Sequence, residues 1–142
     1  MSKLLRRLAN AEKWAELADS SLLKSGDCPP DLLIQVYDNR DGVSVFEVDG
    51  EENILRAVSF HAFSSKKIGD YVFALIDREE IEKNGMNIVS TKGDTSDDLT
   101  NNYHRIITNI SGKSLIKLVN IVLGSQIYTK TIEDIIGFFV VL

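Results

Sequence analysis

The chain has 142 residues, 44% of them hydrophobic and 26% charged, with a net charge of −5 and a single cysteine. That composition suits one α+β domain over 1–142 with a core of its own, and it excludes a low-complexity or linker-like chain. The acidic balance argues against a nucleic-acid surface, and Cys28 alone forms no internal disulfide, so a cytoplasmic protein is the expectation.

The first residues carry Lys3, Arg6 and Arg7, but no apolar run follows them, so no secretion signal is expected. Leu4, Leu8, Ala11, Trp14, Ala15 and Ala18 recur at three- and four-residue spacing, which predicts an N-terminal helix over 3–24 ended by Gly26 and Pro29-Pro30. Lys3, Arg6, Arg7 and Lys13 would give that helix a modest basic patch. Ile34 and Val36, then Val43 and Val45, alternate on either side of Asn39-Arg40-Asp41-Gly42, the pattern of a β-hairpin. Asp49-Gly50 reads as a second turn, with Ile54, Val58, Phe60 and Ala62 on one face of a third strand.

The continuous apolar run 71–76 predicts a central strand buried on both faces. Asp77 and Glu80 then form the capping box of a short helix that ends at Asn84-Gly85, and 86–89 reads as another strand. Residues 92–98 suit an exposed loop, in which Thr95 or Ser96 caps a helix holding Leu99, Tyr103, Ile106, Ile107 and Ile110. Gly112 and Gly124 bound the apolar stretch 115–123, which Lys117 and Asn120 interrupt and which is too short for a membrane span. Thr131 caps a last helix through Ile132, Ile135, Ile136 and Phe139, although 138–142 fits a strand equally well. The expected architecture is α+β: an N-terminal helix, a mostly antiparallel sheet of about four or five strands, and a helical C-terminal third. The apolar segments after Gly112 are candidates for a homo-oligomer contact.

The chemical inventory is thin. His61 and His104 stand far apart without HExxH or CxxC spacing, so neither a metal nor another cofactor is expected. Asp27 beside Cys28 disfavours a thiolate. Ser64 and Lys67 have S-x-x-K spacing without a companion motif. Asp38 to Gly42 fails as a calcium loop, because Tyr37 and Val48 would stand where the first and last ligands belong. Ser111-Gly112-Lys113-Ser114 resembles the end of a phosphate-binding Walker A loop, which implies a nucleotide site, but Ile107 stands where that family has its first glycine.

Acidity is concentrated in 31–52, where seven Asp and Glu face only Arg40. Asp38, Asp41, Glu47, Asp49, Glu51 and Glu52 are the expected partner-binding residues, with a field reaching roughly 8 Å in physiological salt. The helix, meander and acidic balance over 3–63 also resemble the front half of class I type III secretion chaperones, which implies docking of a protein partner. The resulting expectation is a non-catalytic binding or regulatory module, like an inhibitor, immunity protein or chaperone, that meets a basic protein and neither nucleic acid nor membrane. Solubility alone would also place charge on such turns. One alternative is a small hydrolase using His61 or His104 with a carboxylate such as Asp70 or Asp98; a second is nucleotide binding at the degenerate GKS loop.

Overall fold

The computed structural model of the chain describes residues 3–8, 42–64, 71–110 and 112–141. Among them are six strands and five helices: β1 (Lys3–Arg7), β2 (Val43–Val48), α1 (Glu51–Ser64), β3 (Tyr71–Asp77), α2 (Arg78–Lys83), β4 (Asn87–Ser90), α3 (Asp98–Asn102), β5 (His104–Thr108), α4 (Gly112–Leu123), β6 (Gln126–Lys130) and α5 (Ile132–Val141). The strands form one sheet in the order β4-β5-β2-β1-β3-β6. Every pairing is antiparallel, so the fold is α+β.

Side chains alternate across this sheet, and both faces are covered by helices. Leu4, Val43, Val45, Ala74, Ile76 and Ile107 point to one side, where they meet Ile81 of α2 and Leu115, Leu118, Val119 and Val122 of α4. Leu5, Val48 and Phe73 point to the other, against Ile54, Ala57 and Val58 of α1 and Ile135 of α5. The run 71–76 is therefore a strand, buried on one side through Phe73 and on the other through Ala74 and Ile76, as its composition predicts.

Local signals hold at several junctions. Asp77 caps α2, its side chain accepting from Glu79 N at 3.3 Å, and Asn84 closes that helix. Thr131 opens α5, where its Oγ1 accepts from the amide of Asp134 and the Asp134 carboxylate accepts from the amide of Thr131. The carboxylate also accepts from the Thr131 hydroxyl, and the amide and hydroxyl bonds it receives hold the Asp134 carboxyl below its ordinary pKa. The apolar residues 138–141 are helical.

Other expectations are overturned. Residues 3–7 form a strand where a helix is predicted, because Leu4 and Leu5 are buried on opposite faces of the sheet. Lys3, Arg6 and Arg7 therefore lie on a strand, with Arg6 buried and Lys3 paired with Asp77 at 3.7 Å, while Lys13 and the rest of the predicted helix, 9–24, lie outside the described residues. The predicted third strand is α1, since Ile54, Ala57 and Val58 are buried at helical spacing. Leu99 and Tyr103 are exposed while Ile106 and Ile107 belong to β5, so the helix expected over these residues breaks into α3, a turn and a strand. Among the described residues the sheet has six strands, not four or five, and two of them, β5 and β6, interrupt the C-terminal third. Of the pattern over 3–63 that resembles secretion chaperones, the start of the helix and the third strand are corrected here, and the remainder of the helix and the first strand of the meander lie outside the described residues.

Candidate functional site

The expected acidic face divides. Asp38, Asp41 and the first strand of the predicted hairpin lie outside the described residues, as do Cys28, Asp70 and Ser111. The second strand is β2, which sits between β5 and β1 in the interior of the sheet. Glu47 at its end is half-buried and already met by two guanidinium groups, with Arg78 Nη1 at 2.5 Å and Arg105 Nη2 at 3.0 Å. It clamps β2 to α2 and β5 and presents no open charge.

Asp49, Glu51 and Glu52 are exposed where β2 turns into α1. Gly50 has a φ of +147° and its carbonyl accepts the amide of Ile54, so the chain turns sharply before the helix starts. Glu51 and Glu52 then occupy the first turn, where the helix dipole favours negative charge. Lys130 Nζ reaches Glu51 at 2.9 Å, leaving Asp49 and Glu52 as the more open carboxylates of this turn.

Across the sheet, pairing gathers residues that the sequence keeps apart. β2 and β5 pair with Phe46 opposite His104 and Ser44 opposite Ile106, which sets Ser44, Phe46 and His104 on the face covered by α1. His104 is buried. Its Nε2 lies 2.5 Å from Ser44 Oγ and its Nδ1 lies 2.6 Å from Thr91 Oγ1. The backbone supports that arrangement, because the Thr91 amide donates to the His104 carbonyl at 3.2 Å.

His61 joins the same neighbourhood from α1. Its ring and that of His104 both approach Phe46 edge-on, at centroid distances of 6.3 and 5.2 Å. Arg7 Nη1 lies 3.4 Å from His61 Nε2. Both histidines singled out in the sequence therefore border one aromatic ring, with a serine, a threonine and an arginine around them. Nothing in the spacing of Ser44 or Thr91 points to this grouping; it requires the β2–β5 register.

The remaining candidates are placed as follows. Asp98 is exposed in the first turn of α3. Only three residues, 109–111, separate β5 from α4, and Ile107 is fully buried within β5 opposite Val43 and Ile88. Residues 104–108, Ile107 among them, are therefore strand where that family begins its phosphate-cradling loop. Among the described residues there is no group of three or more His, Cys, Asp or Glu suited to a metal ion, and no helix long and apolar enough to cross a membrane. Of the two apolar segments after Gly112, α4 buries Leu118 and Val119 in the core, whereas α5 leaves Ile136 and Val140 exposed. No family model matches the chain, and neither curated proteins nor solved structures give a match.

Proposed function

We propose that the protein is a binding or regulatory module that docks a basic protein through the acidic turn between β2 and α1. The observation that supports this reading is the exposure of Asp49 and Glu52 beside Glu51, on a turn anchored to the sheet by β2 and to the core by Ile54. Such a fixed cluster of like charge speeds encounter with a cationic surface and rejects acidic competitors, and salt weakens it. Glu47 is left out of this face, since Arg78 and Arg105 already hold it.

The test is affinity capture from a lysate of the source cell at low and high salt, with the wild type and an Asp49→Lys/Glu52→Lys variant compared. Glu51 is left in place to keep its contact with Lys130. The expected result is a stoichiometric basic protein retained by the wild type, released by salt and lost in the variant. Equal capture by the folded variant would remove this turn as the docking face.

A further inference from the structure

We propose that Ser44 is an acyl-accepting nucleophile, with His104 as its base and Thr91 as the residue that positions the imidazole, acting on esters of small carboxylic acids. The inference is independent of the acidic turn. It rests on three side chains from three separate places in the sequence, brought into line by the sheet: Ser44 Oγ at 2.5 Å from Nε2, and Thr91 Oγ1 at 2.6 Å from Nδ1, of one ring. A hydroxyl within reach of a base, with the base oriented by a third group, is the arrangement that activates a serine.

The proposed roles require one tautomer. With its proton on Nδ1, His104 donates to Thr91 Oγ1 and leaves Nε2 to accept from the Ser44 hydroxyl. Phe46, edge-on at 5.2 Å, helps to fix the plane of the ring. The base is buried while the nucleophile is only partly so, which leaves Ser44 the more approachable of the pair. Both ring nitrogens face a hydroxyl, and the primary alcohol of Ser44 is the less hindered nucleophile of the two.

In the proposed step, Ser44 Oγ attacks the ester carbonyl carbon as its proton passes to His104 Nε2. The bond from that carbon to the alkoxy oxygen breaks, and the alcohol leaves with the proton from Nε2, so that Ser44 is acylated. Water then attacks the acyl carbon and gives a proton to Nε2. The bond from Ser44 Oγ to the acyl carbon breaks, the carboxylic acid departs, and the proton on Nε2 returns to Ser44 Oγ. Thr91 is uncharged and stabilises the imidazolium less than a carboxylate would, so slow turnover is expected.

The experiment uses the full chain with a fluorophosphonate probe and, separately, p-nitrophenyl acetate, read by intact mass and peptide mapping with thermal melts as a folding control. The expected result is one adduct on Ser44, absent in Ser44→Ala and formed at least about tenfold more slowly in His104→Gln. Thr91→Val should slow labelling and Thr91→Ser should restore it, a rescue that a merely structural threonine would not show in the labelling rate. Absence of an adduct on Ser44 in the folded wild type, or an adduct that persists in Ser44→Ala, would overturn the proposal. If His104→Gln does not fold, the Thr91 pair decides: equal labelling of folded Thr91→Val and wild type also overturns it.

Discussion

Arg56 and Asp97 are joined by two parallel hydrogen bonds, Nε to Oδ2 at 2.8 Å and Nη2 to Oδ1 at 2.9 Å. The fork ties α1 to the start of α3, and the same carboxylate accepts from the amide and hydroxyl of Thr100. One side chain therefore works as helix cap and as interhelical clamp.

That double role makes Asp97 an acid-sensitive element. The Arg56 guanidinium, followed by the Thr100 bonds, holds its carboxyl down at about 2, against an ordinary value of 3.8. A depressed folded-state pKa gives stability that is fully present above the unfolded value and is lost as pH falls through the folded one, here between about pH 4 and pH 2. The gain is on the order of 2 kcal/mol at most. Urea midpoints of wild type and Asp97→Asn should differ most above pH 4 and converge toward pH 2. A constant difference across that range would show that the charge on Asp97 is not what stabilises the clamp.

Gly42 has a φ of +153° and lies so close to β5 that a Cβ built on it would stand 2.0 Å from the Ile107 carbonyl oxygen. Neither the backbone angle nor the sheet can yield cheaply. Gly42→Ala should cost at least about 3 kcal/mol or abolish soluble expression, because β2 and β5 must separate to admit the methyl group. A melting temperature within a degree or two of the wild type would refute the close approach.

Glu47 and Asp49 stand two residues apart yet should behave oppositely. Removing Glu47 leaves Arg78 and Arg105 facing each other over a half-buried site, so Glu47→Gln should destabilise by about 1–3 kcal/mol without changing capture of a basic partner. Asp49→Asn should leave stability within about 0.5 kcal/mol and weaken capture. Chemical denaturation beside salt-dependent capture separates the two effects, and the reverse assignment would show that the acidic face extends onto β2.

What was legible in the chain follows from which periods a residue pattern can exclude. The strand 71–77 and the caps at Asp77 and Thr131 were readable because their signals are local. β1 was not, because a strand buried on both sides shows Leu4 and Leu5 together without a two-residue period. Ile54, Val58 and Ala62 are four apart, which fits one face of a strand and one face of a helix alike; the burial of Ala57 resolves it. At the site, both histidines stood out by scarcity, but Ser44 is an ordinary strand residue until β5 is laid beside it.

The C-terminal apolar segments offer a last contrast. Leu118 in α4 is fully buried between the helix and the sheet, while Val140 in α5 is 78% exposed. Leu118→Ala should leave a cavity and cost about 2–5 kcal/mol, whereas Val140→Ala should change the stability of the isolated chain by less than about 0.5 kcal/mol. Urea denaturation of both variants at two protein concentrations checks this. A midpoint that rises with concentration in the wild type but not in Val140→Asp would show that the exposed face of α5 is covered by a second copy in solution, because association adds stability by mass action. A midpoint independent of concentration in both would leave Ile136 and Val140 facing water as the single chain presents them.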